Sequence, residues 1–144
     1  MRALFDINVL LARFDRLHDH HGRTQQWFRG RAIDTILTCT LTENGFLRIF
    51  ANPAYPTGPG NMRDAAAMLS RIRSVPGHDF VAEDRSILDP SLGVALGSNT
   101  PAQITDLYLL ALAVRHDAKF VTLDTRIDPA SVKGGTSALV VIPE

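Results

Sequence analysis

At 144 residues, with 45% hydrophobic and 21% charged side chains, the chain has the size and composition of one globular domain and is too apolar for a disordered protein. Its 15 acidic and 15 basic side chains cancel, which excludes a uniformly basic nucleic-acid binder, although only Lys119 and Lys133 are lysines and the other 13 basic side chains are arginine. A single cysteine, Cys39, excludes an internal disulfide; the early acidic Asp6 argues against a signal peptide, and no apolar run approaches the roughly 18 residues of a membrane span, so a cytoplasmic protein is expected.

Arg2 to Phe5 is an apolar run closed by Asp6 and is predicted as a strand, followed by a short helix through Ile7 to Arg13. A second helix is predicted over His18 to Arg29, anchored by Leu17, Trp27 and Phe28. Thr35 to Cys39 is rich in β-branched residues and reads as a strand. Thr40 or Thr42 then caps a helix carrying Glu43, Phe46, Leu47 and Phe50. Prolines and glycines make 52–60 a surface loop, and Asn61 with Asp64 three residues later starts a helix over Met62 to Arg73. Phe80 to Ala82 reads as a short strand, and Asp84 to Thr100 is compatible with strand, turn or short helix. Leu107 to Val114 is apolar on every side and predicts an enclosed helix capped near Thr105. Phe120 to Leu123 is a buried strand ended by Asp124, and Ala138 to Ile142 a last strand. The alternation predicts a single α/β domain over 1–144, a three-layer fold with a central, mainly parallel sheet flanked by helices.

In such sheets ligands bind just beyond the carboxyl ends of the strands. Asp6 and Asp124 follow two strands there, Glu43 lies in the first turn of the helix after a third, and Asp106 in the first turn of the enclosed helix. Each alone has a structural explanation, as a turn former or a helix-dipole partner. Four acids at matching positions are a different matter. Grouped carboxylates raise one another's pKa, and a divalent cation relieves the repulsion. An oxygen-only donor set selects a hard ion, Mg²⁺ or Mn²⁺, which suits phosphodiester hydrolysis.

The segments Leu4-Phe5-Asp6-Ile7-Asn8-Val9-Leu10, Thr42-Glu43-Asn44-Gly45-Phe46-Leu47-Arg48, Ile104-Thr105-Asp106-Leu107-Tyr108-Leu109 and Val121-Thr122-Leu123-Asp124 resemble the four signature blocks of PIN domains. They resemble most those of VapC toxins from type II toxin–antitoxin pairs, in order and spacing across nearly the whole chain. The resemblance implies a Mg²⁺- or Mn²⁺-dependent endoribonuclease acting on structured RNA such as transfer RNA, paired with a VapB-like antitoxin and forming a homodimer. It implies that Asp6, Glu43, Asp106 and Asp124 hold metal and activate water. Asn8 is then either an amide beside the acids or a plain helix-start residue. Thr105 is a helix cap that also offers a hydroxyl to the site. Arg48 contacts phosphate or pairs with an acid, an ion pair being favoured; Arg126 is a candidate substrate contact, with a structural role favoured. The antitoxin would lie on apolar helix positions around Leu10, Leu11, Phe14 and Trp27.

Other polar groups read as structural. His18, His20 and His21 with Asp19 suggest a metal site, but only His18 and His21 have shared-face spacing, and an exposed helix start is favoured. His78 and His116 fall in predicted turns without partners. Trp27 and Phe28 read as packing residues rather than base-stacking platforms. Asp15 and Asp117 read as loop residues, and Asp128 as a loop residue or an auxiliary ligand. Two rival functions remain: an RNA-binding module of the same architecture with a spent site, and another Mg²⁺-dependent phosphoryl-transfer domain. Lys119, which precedes its strand instead of following it, argues against the latter.

Overall fold

Strand β1 (Arg2–Phe5) is the centre of a five-stranded sheet, with β2 (Thr35–Thr38) and β3 (His78–Phe80) on one side and β4 (Lys119–Thr122) and β5 (Leu139–Val141) on the other. The computed structural model describes every residue of the chain except Ser98. Every pairing is parallel, in the order β3-β2-β1-β4-β5. Parallel strands need crossovers, and these cover both faces, so the central strands are apolar on both sides. Successive residues of β1 serve opposite layers. Leu4 joins Leu37 and Phe120 on one face, and Ala3 and Phe5 join Val121 on the other.

The first layer consists of α1 (Ile7–Phe14), α2 (His21–Phe28), α3 (Thr40–Phe50) and α4 (Met62–Arg73), which bury Leu10, Trp27, Phe46 and Ile72 against the sheet. The second consists of α5 (Ile104–Arg115) and the one-turn α6 (Gly135–Ala138). In α5 every residue from Leu107 to Ala113 is buried, as its uninterrupted apolar sequence requires.

The three-layer α/β architecture agrees with the sequence reading, and several boundaries are corrected. Helix α2 begins at His21, not His18, and Leu17 is 73% exposed instead of anchoring it. Local side chains divert the backbone there: Asp15 accepts from the N–H of Leu17 at 3.0 Å, and His18 Nδ1 accepts from the N–H of His20 at 3.0 Å. The N-cap of α3 is Cys39, whose N–H donates to Thr42 Oγ1 at 3.0 Å. Thr105 lies inside α5, whose cap is Gln103, because a 3₁₀ turn over Pro101–Gln103 starts the helix early. Edge strand β3 occupies His78–Phe80; Val81 still donates its N–H to Thr38, but the ladder has ended. Ala138 closes α6 before β5 begins, after a turn in which Gly134 takes a φ of 82°. Between 84 and 100 a 3₁₀ turn at Pro90–Leu92 and an antiparallel bridge from Val94 to Val132 replace the open alternatives. Among the described residues no helix is long and apolar enough to cross a membrane.

Leu109 is fully buried in the helix that carries Asp106. Leu109→Ala is expected to lower unfolding free energy by about 2–5 kcal/mol, read as a lower urea midpoint with an unchanged slope. A loss under about 1 kcal/mol would show that this layer repacks freely.

Candidate active site

Strand order reverses between β1 and β4: the chain leaves β1 toward one helical layer and reaches β4 from the other. Such a switch point opens a crevice at the carboxyl ends of the two strands. Asp6 stands there, one residue past β1, with its N–H on Val121 O at 3.0 Å and its side chain only 7% exposed. Its Oδ1 accepts from the N–H of Ile7 at 2.6 Å, capping α1, and its Oδ2 accepts from Thr122 Oγ1 at 2.7 Å. Burial raises the Asp6 pKa and the charge of Asp124 adds to this, while Thr122, Ile7 and Asn8 act in the opposite sense through hydrogen bonds.

Thr122 also accepts from the N–H of Asp124 at 3.0 Å, so one hydroxyl at the end of β4 ties both acids to the sheet. Arg126 grips the Asp124 carboxylate with two bonds, Nε to Oδ1 at 3.0 Å and Nη2 to Oδ2 at 2.7 Å. Those bonds hold the Asp124 carboxyl below its ordinary pKa. Asp106, in the first turn of α5, has no such partner: none of the described hydrogen bonds or ion pairs involves its carboxylate. Burial, then the charges of Asp6 and Asp124, push its pKa up to about 6. Asp6, Asp106 and Asp124 are therefore electrostatically coupled across one crevice.

Glu43 sits apart from them. Its Oε1 accepts from Thr38 Oγ1 at 2.6 Å and from Arg73 of α4. Thr38 spends its proton on Glu43, so His78 Nε2, 2.8 Å from Thr38 Oγ1, donates to it. The partnered His78 lies in β3, not in a turn. The cation beside Glu43 is thus Arg73 and not Arg48, which is exposed and without an ion pair among the described residues. Among those residues no three His, Cys, Asp or Glu side chains lie close enough together to hold one metal ion. The chain's own arginines and hydroxyls neutralise two of the four acids.

Asn8 lines the crevice and accepts from the N–H of Leu123 at 3.3 Å while bonding Asp6, the amide role and not a bare helix start. Thr105 is exposed and bonds none of the acids. Asp128 accepts from the N–H of Ala130 at 3.0 Å and caps the turn Pro129–Ser131. Lys119 reaches Ser137 O at 2.6 Å from the amino end of β4, the wrong end for a phosphoryl-transfer lysine. Leu10, Leu11 and Trp27 are buried in the core, so of the apolar positions expected to meet a partner only Phe14 reaches the surface.

Sequence reasoning missed Thr122, Thr38 and Arg73. The threonines carried a signal, each being a polar residue ending an apolar strand. Arg73 had none, since thirty residues separate it from Glu43. It also set aside His18 and His20, which line a cleft of about 450 Å³ together with Asn8, Asp124 and Arg126.

Residues 3–133 match the family model described as PIN domain. Ribonuclease VapC44 of Mycobacterium tuberculosis is 42% identical over 94% of this chain and 95% of its own length. Ribonuclease VapC38 of the same organism is 38% identical over 87% and 86%. A solved complex, VapBC2 from Rickettsia felis bound to a DNA fragment from its promoter, contains a chain that superposes with a TM-score of 0.50 at 13% identity, over 86% of this chain and 89% of that one, a likeness of fold.

Two predictions rest on the crevice. Because the folded-state pKa of Asp106, about 6, exceeds its ordinary 3.8, the folded protein holds a proton that the unfolded chain releases between those values. Stability from this group is full below pH about 4 and lost as pH rises through 6. In metal-free buffer Asp106→Asn should therefore gain urea resistance relative to wild type between pH 4 and pH 8; an equal difference at both ends contradicts the coupling. Thr122→Val, which strips the buried Asp6 of a donor, should cost about 1–3 kcal/mol at pH 8 in the same assay.

Proposed function

The chain belongs to the PIN-domain family, and on that premise we propose that it is a VapC-type endoribonuclease toxin that hydrolyses structured RNA, transfer RNA included, using Mg²⁺ or Mn²⁺. The observation that carries this reading is Asp106, a half-buried carboxyl without a protein partner, held between Asp6 and Asp124 at the sheet's switch point. Unpaired charge in a partly desolvated place is costly, and a hard cation relieves it. The acids offer only oxygen donors, which favours Mg²⁺ or Mn²⁺ over zinc. The ribonuclease names of the 42% and 38% identical relatives support the choice of RNA.

Asp6 and Asp106 would hold the ion, and Asp124 would join them once Arg126 releases its carboxylate, with Glu43 at the margin. When bound, the ion supplies a Lewis acid that activates water and neutralises charge at phosphorus. The chain's own groups do the rest. Thr122 fixes the rotamer of Asp6 and the backbone of Asp124. Asn8 steadies the edge of the crevice through Leu123. Arg126, with its side chain 84% exposed, can leave Asp124 for a substrate phosphate, exchanging one anionic partner for another. Arg73 holds Glu43 through a single Nη1 contact to Oε1.

A VapB-like antitoxin partner follows from the relatives' names and from the VapBC2 complex. The homodimer follows from the family resemblance alone. A spent RNA-binding module would have no use for the uncompensated Asp106.

Mn²⁺ at 100 times its dissociation constant should stabilise the wild type by roughly 2.7 kcal/mol in thermal unfolding. Asp106→Asn should lose both that shift and RNA cleavage, read by sequencing RNA ends after induction in cells. Identical cleavage patterns from wild type and variant would overturn the proposal.

A further inference from the structure

The net charge of zero hides a segregated surface. Between α1, α2 and α4 runs a groove of about 700 Å³ whose lining includes Arg13, Arg16, Arg29, Arg71 and His21 and no acidic residue. None of those four arginines takes part in an ion pair among the described residues; the paired ones are Arg2, Arg73, Arg85, Arg115 and Arg126. Four free arginines gathered along one groove with no acid in its lining favour an anionic ligand from outside.

The groove is held in shape. His21 Nδ1 donates to Ala12 O at 2.8 Å and Gln25 Nε2 to Arg13 O at 3.2 Å, joining α2 to the end of α1. Arg13 lies over the rings of Phe14 and Phe28 at 5.7 and 5.2 Å, which orders its guanidinium, and burial lowers its pKa. One turn of the chain lies between the groove and the candidate active site. His18 and His20 line the cleft that holds Asp124 and Arg126, and His21, next in the chain, lines the arginine groove.

Resting on the ribonuclease reading, we infer that the groove is a track for the RNA backbone: the strand passes from the crevice over the His18–His21 turn, and Arg13, Arg16, Arg29 and Arg71 bind successive phosphates beyond the cut. A polyanion of regular charge spacing fits a groove in which four guanidinium groups outnumber the apolar Phe14, Met68 and Val75. Contacts away from the crevice would also let the enzyme choose structured RNA by shape. Placed this way, the arginines set substrate affinity and take no part in bond breaking.

The test uses the uncleaving Asp106→Asn protein and unfractionated transfer RNA, with affinity measured across a salt series. Arg16→Gln, Arg29→Gln and Arg71→Gln are each expected to lower the magnitude of the slope of log affinity against log salt by roughly 0.7 to 0.9, and the triple variant by roughly 2 to 3. Arg63→Gln, on α4 but outside the groove, keeps the slope. Arg13 is spared because it packs on two rings, and unchanged thermal unfolding confirms that the variants fold. A slope unchanged in the triple variant overturns the track. So does an unchanged slope with lost binding to polyglutamate, which makes the groove a dock for acidic protein segments. A groove-dependent slope beside a wild type that cleaves no RNA sinks the nuclease reading and leaves the track standing; cleavage with unchanged slopes does the reverse.

Discussion

Everything at the carboxyl edge of the sheet follows from placing several negative charges where water is scarce. Parallel β1 and β4 lie side by side and end at the switch point, so Asp6 and Asp124 are brought together by topology alone. Helix α5, buried by its own apolar sequence, must start at the same edge and brings Asp106 with it. The repulsion cannot be relaxed by moving any of these elements, because each is fixed by the core it serves.

The chain answers the repulsion unevenly. Asp124 is neutralised by Arg126, Glu43 by Arg73, and Asp6 is solvated from within by Thr122 and the N–H of Ile7. Asp106 has only the charge of Arg126 in its favour, and burial with the charges of Asp6 and Asp124 pushes its pKa up to about 6. One carboxyl is left without a bonding partner, one is buried, and a third is held by an exposed arginine. The histidine turn and the arginine groove extend the same logic outward, since a phosphate backbone leaving the crevice meets cations that the protein has not paired.

The sheet was legible because its strands are short apolar runs closed by acids, and α5 because its sequence has no polar face. Helix starts were less so. At His18 and Thr105 propensity favoured a cap, and local hydrogen bonds or an early 3₁₀ turn decided otherwise. Asp6, Asp106 and Asp124 could be placed together because position at a strand end or a helix start fixes an edge. Glu43 could not be graded that way, because its neighbour Arg73 arrives from a helix that no local pattern ties to it. Likewise the role of His18 and His20 depends on where a short turn folds back, which spacing alone does not encode.

Opening of the phosphodiester by water at the carboxylates stands against attack by the ribose 2′-hydroxyl, the route that His18 and His20, which line the same cleft as Asp124, would serve as acid and base. Cleavage of transfer RNA in ¹⁸O-labelled water, with first-turnover termini analysed by mass spectrometry, separates the two. Hydrolysis at the carboxylates leaves a terminal phosphate carrying one solvent oxygen and no 2′,3′-cyclic phosphate. A cyclic phosphate beside a 5′-hydroxyl would contradict it and transfer the chemistry to the histidines.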